Sequence, residues 1–514
     1  MSHFLLQNVE RSLHFNGDLR VLVADPLRCL PTDVDDVFIV RESLDARKKN
    51  RLRYLCHLAV RMKSGRLPKG VQEYHCPEVA LHEGIRPCGS TPIIIGLGPA
   101  GLFAALGLVR KGIRPLILEQ GRPVEDRVHD VAALEAGKGV NPKSNVVFGE
   151  GGAGTFSDGK LTARNRSAAS EYVYRTLVEF GADPRIVYQA RPHLGTDKLR
   201  KMIPAMRAYL ISQGAEIRFQ EEAVAWIRER GGVTVKTASG GAFHSQTVIL
   251  AGGHSAFEVY NTLSQSRVPL EKKPFAVGLR IEHPREFIDV SQYGRENDFK
   301  VTGAADYSLS AKGQNGRGVY SFCVCPGGSI LHAGSDNGHL AVNGMSGSGR
   351  NGPFTNGALV VSVYPEDLPE GPLAGLLFRR RIEAAAQGQT DCKAPAQRAG
   401  DYLRGGLSKR VEASFRPGVR SEDLNGLFPK FINETLKIGL VNFERKIRDF
   451  IDKGVLVGPE TGTSSPVRII RSPETFESTG MPGLYPVGEG AGYSGGIISS
   501  AVDGLSLALK FKSV

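Results

Sequence analysis

The chain has 514 residues, of which 41% are hydrophobic and 23% charged, and its formal net charge is +12. This composition is typical of a soluble protein with two to four domains, and it excludes a collagen-like or disordered chain. The 62 glycines come in bursts, which indicates backbone that approaches a ligand closely.

Residues 1–90 predict a small basic α+β domain. Within it, residues 41–70 carry ten Lys or Arg against two acidic residues. The charge fits either a polyanion such as RNA or a solvated face that steers anionic cofactors and substrates. We favour the second interpretation and expect no nucleic-acid partner, because no nucleic-acid motif and few aromatic residues accompany the charge.

The cysteines, at positions 29, 56, 76, 88, 323, 325 and 392, form no C-x-x-C pair, which predicts a reducing compartment. The spacing of His75, Cys76, His82 and Cys88 fits no common zinc site, so we predict no metal. The first residues, MSHFLLQNVERSLHF, lack the pattern of a signal peptide, and the expected location is the cytoplasm.

Residues 91–119 predict a dinucleotide-binding unit. A short apolar strand, 93–95, runs into G-x-G-x-x-G at Gly96, Gly98 and Gly101; an Ala/Leu-rich helix and a second strand follow, and Glu119 ends the unit. The glycines permit a tight turn, close approach to a pyrophosphate and close packing of helix on strand, and the acid suits a ribose. The uncharged run 91–109 is long enough to span a membrane, but this pattern explains it better, so we expect no membrane association.

A second glycine turn favours FAD over NAD. Residues 484–487 predict a strand, followed by Gly488, Glu489 and Gly490 and by a helix from about residue 497. A glycine turn that opens a helix far from the fingerprint suits the ribityl and flavin end of FAD. The run GMSGSGRNG, 344–352, lacks a preceding strand and a following helix, so it predicts no separate NAD domain.

Several longer stretches resemble the FAD-dependent dehydrogenases, a family of two-dinucleotide-binding-type flavoproteins. They are ESLDARKK, GLGPAGLFAAL, SNVVFGEGGAGTFSDGKLTAR, PHLGTDKL, KPFAVGLRIEHP, YSFCVCPGGSI, VNGMS, TSSPVRI and YPVGEGAGYSGGI. Residues 154–161 also approach a phosphate loop, but Leu161 offers no Mg²⁺ ligand, and the resemblance implies flavin glycines there. With the fingerprint, it implies non-covalent FAD contacts at Gly96, Gly98, Pro99, Ala100, Gly101, Glu119, Gln120, Arg127, Gly151, Gly152, Ala153, Gly154, Ala251, Gly252, Gly488, Glu489, Gly495, Gly496 and Ile497.

The resemblance also implies a fold and candidate catalytic residues. The expected fold class is α/β: a discontinuous Rossmann-like FAD-binding domain, 91–270 with 466–514, and an inserted α+β substrate domain, 271–465. We expect His254 as an acid/base group, Lys160 or Arg468 as a cation for substrate or reduced flavin, and Tyr493 as a cover for the ring. Each has a structural alternative: a turn histidine, a salt bridge between domains, or plain packing.

Two further features remain open at the level of sequence. Cys323 and Cys325 form C-x-C, either a redox-active pair or, as we favour, alternate strand residues that pack on one side. The family pattern has arginine at the positions of Phe257 and Gly462, so we expect a substrate that is less anionic, or larger and more apolar, than the usual one.

The expected function is that of an FAD-dependent oxidoreductase acting on an organic small molecule, with a dehydrogenase or oxidase favoured. One alternative is a reductase or monooxygenase that takes electrons transiently from NAD(P)H. Another, of a different class, is a flavin-containing RNA-binding or RNA-modifying protein that uses the basic N-terminal domain.

Overall fold

The computed structural model describes residues 3–64, 71–77, 79, 86–162, 167–295, 298–388 and 392–512. Its strands, in chain order, are β1 (His3–Ser12), β2 (Val34–Asp45), β3 (Arg53–Met62), β4 (Gln72–Tyr74), β5 (Arg86–Pro87), β6 (Ile93–Ile95), β7 (Leu116–Glu119), β8 (Glu216–Phe219), β9 (Ala223–Glu229), β10 (Gly232–Thr237), β11 (Ala242–Ser245), β12 (Val248–Leu250), β13 (Leu270–Lys272), β14 (Phe275–Pro284), β15 (Ser310–Lys312), β16 (Gly318–Cys325), β17 (Ser329–His332), β18 (Val342–Met345), β19 (Phe354–Val363), β20 (Ala394–Arg398), β21 (Val419–Ser421), β22 (Val455–Glu460), β23 (Val467–Ile469), β24 (Leu484–Pro486) and β25 (Phe511–Lys512).

The α-helices, in chain order, are α1 (Leu19–Leu27), α2 (Pro99–Val109), α3 (Val124–Glu135), α4 (Ala168–Glu179), α5 (Thr196–Ser212), α6 (Phe257–Gln265), α7 (Arg285–Tyr293), α8 (Phe299–Thr302), α9 (Ala374–Gln387), α10 (Ala399–Arg404), α11 (Lys430–Lys446) and α12 (Ile497–Ala508).

A five-stranded parallel sheet carries the glycine fingerprint. Its order is β24-β12-β6-β7-β8, and every neighbouring pair is parallel. The inner strands β6, β7 and β12 and the edge strand β24 are buried along their whole length, as strands covered on both faces must be. The predicted α/β class with a parallel sheet is confirmed.

A seven-stranded sheet, β15-β16-β19-β14-β22-β20-β21, forms the second large layer. It is antiparallel except for the β20–β21 pair. Helix α11 packs its apolar side, which includes Leu436, Leu440 and Phe443, into one core with this sheet. The chain is therefore a mixed α/β protein with parallel and antiparallel sheets, while the domain boundaries stay a prediction.

The N-terminal residues form a separate antiparallel sheet of order β2-β3-β1-β4, with α1 packed on it. Many of its basic side chains have acidic partners. Arg47 and Arg53 contact Asp45, Arg51 and Arg53 contact Glu10, and Arg61 contacts Asp35. Pairing of this kind neutralises much of the positive charge in the described part of residues 41–70.

Several smaller expectations also meet the structure. The run 344–352 begins inside the short strand β18, contrary to the expectation of no strand there, and it leads into strand β19 and not into a helix. His82 lies outside the described residues, and among the described ones no group of three or more His, Cys, Asp or Glu is placed to hold a metal ion. Among the described helices, none is both long and apolar enough to cross a membrane.

Glycines let α2 and α12 pack with their backbones almost in contact. A Cβ atom added at Gly504 of α12 would lie 2.0 Å from the carbonyl oxygen of Ala100 in α2. Farther along, a Cβ at Gly107 of α2 would lie 2.7 Å from the Cβ of Ala508. Both helices are buried between the parallel sheet and the rest of the core, so no side chain fits at these positions.

The substitution Gly504→Ala is expected to lower the free energy of unfolding by about 1–3 kcal/mol, because the added methyl group forces the two helices apart. Gly426→Ala is the matched control, since its Cβ would meet nothing within 4 Å. The measurement is unfolding in guanidinium followed by the fluorescence of Trp226, the single tryptophan, which is buried in β9. Equal unfolding midpoints for the two variants would contradict the packing argument.

Candidate functional site

The first glycine turn joins the end of β6 to the start of α2. Gly96 has φ +94°, and a Cβ there would lie 2.5 Å from the carbonyl oxygen of Ala251. A Cβ at Gly101 would lie 2.0 Å from the carbonyl oxygen of Gly96. Gly98 precedes α2 and has no side chain to cap it. The first N–H groups of α2 are therefore free for an anionic ligand such as a pyrophosphate.

Glu119, at the end of β7, holds this turn in place. Its carboxylate accepts hydrogen bonds from the backbone N–H of Leu97 at 2.8 Å and of Gly121 at 2.9 Å. Each carboxylate oxygen has capacity for a further donor, so the predicted ribose contact remains a prediction. Gln120 follows Glu119 and is half-buried at the same edge of the sheet.

Arg127 supports the loop that leads to the second glycine cluster. Its guanidinium is fully buried and donates to the carbonyl oxygens of Asn145, Val146 and Glu150 at 2.7–2.8 Å. This role in shaping the loop was not predicted from the sequence. The predicted contact between Arg127 and a cofactor stays a prediction.

Three further glycine-containing segments lie against the fingerprint. They lie so close that a side chain on their glycines would clash with neighbouring atoms or contact them. The backbone N–H of Gly151 donates to Leu97 O at 2.8 Å, and a Cβ at Gly152 would lie 3.2 Å from the Cα of Gly98. A Cβ at Gly154 would lie 3.5 Å from Ile497 and 3.8 Å from Pro99, and one at Gly488 would lie 2.7 Å from the Cβ of Ala100. A Cβ at Gly490 would lie 2.5 Å from the carbonyl oxygen of Gly253, which follows Ala251 and Gly252.

The centre of this arrangement is lined by backbone. Gly253, Gly495 and Gly496 have no atom within 4 Å of where a Cβ would stand, so they face open space. Gly496 precedes α12 without a side-chain cap, which leaves the N–H groups of a second helix free. Two helix N-termini and bare backbone line this arrangement, which we call the cradle. They suit a ligand with both a pyrophosphate and a flat ring system.

His254 and Glu489 stand at the edge of the cradle, with Nε2 of the histidine 3.7 Å from a carboxylate oxygen of the glutamate. Their side chains are 14% and 23% exposed, so a ligand can reach them. Nδ1 of His254 lies 3.3 Å from a guanidinium N–H of Arg379 and therefore accepts. Burial and, to a lesser degree, Arg379 lower the pKa of His254 to about 3, which makes it neutral and a weak base at pH 7.

Glu489 is the group at this edge that exchanges a proton near neutral pH. Burial raises its pKa to about 7, although the backbone N–H of Gly496 and the cations Lys273 and Arg379 oppose the shift. Its place beside the glycine turn agrees with the expected role as a cofactor ligand, and the raised pKa adds a proton-carrying capacity that the sequence did not indicate.

The other predicted catalytic residues lie in two separate places. Lys160 follows the 151–154 loop and donates from Nζ to the carbonyl oxygen of Val324. Arg468 pairs with Glu271 at 2.8 Å across the β13–β23 pair. Tyr493 is 39% exposed, and the guanidinium of Arg471 lies 4.0 Å from its ring centre. The structure thus gives Arg468 and Tyr493 neighbours of their own, and their catalytic roles stay predictions.

Two features of the site were missed or misjudged from sequence. Arg379 belongs to the buried side of α9, and no local pattern in LLFRRRIEAAA singles it out from its neighbours. Cys323 and Cys325 both lie in β16, as expected, whereas the irregularity of that strand was not predicted. A bulge interrupts β16 between Phe322 and Cys325, and Cys323 has φ +44°, so it is half-buried while Cys325 is buried.

Glu150, which directly precedes the glycine loop 151–154, is expected to make the free energy of unfolding depend on pH. Burial raises its pKa from about 4.5 to about 7, because one carboxylate oxygen lacks a partner and Arg207 lies only at 3.2 Å from the other. Between these pH values the folded chain keeps a proton that the unfolded chain has lost. The free energy of unfolding is therefore expected to fall by up to about 3 kcal/mol as the pH rises from 4.5 to 7.

The measurement compares denaturant unfolding of the native protein and of Glu150→Gln at pH 5 and pH 8. The variant cannot titrate at this position, so its loss of stability over that range is expected to be smaller. An identical loss in both proteins would show that Glu150 does not keep its proton in the folded state.

Comparison with known proteins gives the site a family. Residues 274–463 match a family described as "FAD-dependent protein, C-terminal domain-like". An uncharacterised protein of Clostridium beijerinckii is 37% identical in an alignment of 523 positions, which covers 98% of this chain and 97% of that protein.

Solved structures of low similarity are also found. CtdE in complex with FAD and substrate 4 is 12% identical, covers 82% of this chain and 79% of its own, and has a TM-score of 0.35. A geranylgeranyl bacteriochlorophyll reductase-like protein from Thermoplasma acidophilum is 14% identical, with 81% and 76% coverage and a TM-score of 0.36. Likeness at this level carries no argument about function.

The family match and the cradle agree on the cofactor. Glycine backbone, two uncapped helix N-termini and a carboxylate at the end of β7 are the chemistry that a flavin dinucleotide requires. The cofactor is FAD, and the chain belongs to one family with the Clostridium beijerinckii protein, a family of FAD-dependent proteins.

Proposed function

We propose that this FAD-dependent protein is an oxidoreductase that transfers a hydride between an organic small molecule and the flavin, as a dehydrogenase or oxidase. The observation that carries the proposal is the convergence of the glycine segments 96–101, 151–154 and 488–497 on one place, with Glu489 and His254 at its edge. FAD supplies the redox chemistry, whereas the chain binds and orients the substrate and handles protons.

The proton-handling group of this proposal is Glu489. With a pKa of about 7 it is half ionised at neutral pH, so it takes up or releases a proton at little cost. His254 keeps its proton on Nε2, because Nδ1 accepts from Arg379, and this N–H lies 3.7 Å from the Glu489 carboxylate, too far for a hydrogen bond. This assignment replaces His254 as the expected acid/base group.

We propose a small polar molecule as the substrate. A narrow cleft beside His254 is lined by Arg379, Arg380 and Glu383 together with the hydroxyls of Ser255 and Ser335. The Nε of Arg379 is buried without a hydrogen-bond partner and lies 3.8 Å from the carboxylate of Glu383. The guanidinium groups of Arg379 and Arg380 along this cleft favour a substrate that offers an oxygen acceptor.

The ion pairs of the basic N-terminal sheet argue against binding of RNA. Arg47, Arg51, Arg53 and Arg61 all lie in ion pairs with carboxylates of the same sheet. Phosphate binding would have to replace these contacts, which reduces its electrostatic gain. A small-molecule substrate thus remains the proposed partner.

The proposal favours a dehydrogenase or oxidase over an enzyme driven by NAD(P)H. Within the described residues, one parallel sheet carries one glycine fingerprint, and the glycine run 344–352 leads from β18 to β19 without opening a helix. We expect an anaerobic absorption spectrum of the yellow holoprotein to remain unchanged on addition of NADH or NADPH, and to bleach with dithionite.

Complete bleaching by NADH or NADPH would overturn the dehydrogenase or oxidase assignment in favour of a reductase or monooxygenase. A protein that is colourless as purified and does not take up added FAD would overturn the flavin function altogether. Free FAD with the same nicotinamides is the control for the non-enzymatic reaction.

Replacing Glu489 by Gln is expected to flatten the pH dependence of the flavin midpoint potential between pH 6 and 8. Ionisation of Glu489 adds a negative charge beside the site and opposes the uptake of electrons, so the native potential falls through this range. A coupling of about 1.4 kcal/mol corresponds to about 30 mV for a two-electron couple. Glu258→Gln, at an exposed position in α6, is the control.

The potentials are measured by anaerobic dye titration of both variants and the native protein. If the midpoint potential of the native protein has the same pH dependence as that of Glu489→Gln, Glu489 is not the proton-handling group. That result would not count against FAD binding.

A further inference from the structure

The C-x-C segment lies at a bulge in β16. Pairing with β19 is regular up to Phe322 opposite Ala358 and resumes at Cys325 opposite Asn356. Between them Cys323 has φ +44°, a conformation that residues with a side chain rarely adopt. Strain of this kind persists only where neighbouring contacts impose it, and it is concentrated at functional sites.

Two cations impose the conformation. Arg280, fully buried in β14, donates from Nη2 to the carbonyl oxygen of Cys323 at 2.7 Å, and the same nitrogen lies 3.4 Å from Sγ of Cys325. Lys160 donates to the next carbonyl oxygen, that of Val324. Glu460 fixes the guanidinium of Arg280 at 2.8 Å, so the cation cannot turn away from the two cysteines.

The two thiols differ in their surroundings. Cys325 is buried, whereas Cys323 is partly exposed. Interaction with the thiol of Cys325, together with the charges of Lys160 and Arg280, lowers the pKa of Cys323, and the same interaction with burial raises the pKa of Cys325. A more exposed thiol with a lowered pKa beside a buried thiol with a raised pKa is the arrangement of an attacking and a resolving cysteine.

The segment is anchored to the loop that carries the flavin glycines. Lys160 comes six residues after Gly154. Between them, Asp158 binds Arg350 at 2.6 Å and the hydroxyl of Ser346, and both of these residues belong to the stretch after β18. The side chain of Lys160 therefore joins the glycine loop to the cysteine segment, and Asp158 joins the same loop to the stretch after β18.

We propose that Cys323 and Cys325 are a redox-active pair that delivers two electrons to FAD. The two S–H bonds break and one S–S bond forms; two electrons and two protons pass to FAD, which becomes FADH₂. An external dithiol restores the pair by exchange at the more exposed Cys323, and leaves as a disulfide. This inference rests on the proposed flavin oxidoreductase function, and it makes an external dithiol the organic small molecule that the flavin oxidises.

The first test adds dithiothreitol anaerobically to the holoprotein and follows the flavin absorbance. Bleaching is expected in the native protein and in Cys29→Ser, a control at a half-buried cysteine in the N-terminal part. Bleaching is expected to be lost in Cys323→Ser and in Cys325→Ser, while dithionite still reduces the flavin in both. Bleaching of either variant at the native rate would overturn the proposal.

The second test needs no flavin. The apoprotein is equilibrated with oxidised glutathione, alkylated and analysed by peptide mass. The native peptide is expected to be lighter by two hydrogen atoms, as an internal disulfide, whereas Cys325→Ser is expected to hold glutathione on Cys323. A native protein that keeps both thiols, or that keeps glutathione on Cys323, would overturn the redox pair.

The two proposals fail in different ways. If the flavin is absent or is not reduced by dithionite, the proposed oxidoreductase function fails. If the flavin is bound and reducible but the peptide never carries a Cys323–Cys325 disulfide, only the thiol inference fails.

Discussion

Contact of backbone on backbone at a few glycines is the constraint on which the site depends. Gly101 rests on the carbonyl of Gly96, and Gly504 rests on the carbonyl of Ala100, each with room for a hydrogen atom only. These contacts set α2 against its own turn and against α12, and so aim the free N–H groups of two helices at one place. A side chain at either position would move a helix and with it half of the cradle.

Buried guanidinium groups shape the loops around this backbone framework. Burying a charge is costly unless hydrogen bonds and an opposite charge compensate for it. Arg127 is compensated by three carbonyl oxygens of the loop before Gly151, and Arg280 by Glu460, Asn356 and the carbonyl of Cys323. Each arginine therefore requires its loop in one conformation, and the two loops meet at Lys160.

The parts of the fold that sequence predicts are those with local causes. The strand, turn and helix of residues 93–109 follow from an apolar run, three glycines and a proline at the first helical position, and all lie close to where the pattern places them. The second turn and α12 are local in the same sense.

What sequence does not predict depends on partners far along the chain. The bulge at Cys323 follows from Arg280 and Lys160, which come from two other segments. The contact of Arg379 with His254 joins α9 to the end of the parallel sheet across 125 residues.

The same chain also supplies from α9 the positive charge that two departures from the family pattern take away. The guanidinium of Arg380 lies 4.8 Å from the ring centre of Phe257. Gly462 lies next to His254, which accepts a hydrogen bond from Arg379. The expectation of a less anionic, or larger and more apolar, substrate considered only the missing arginines and stays a prediction, whereas Arg379 and Arg380 place positive charge beside the same two positions.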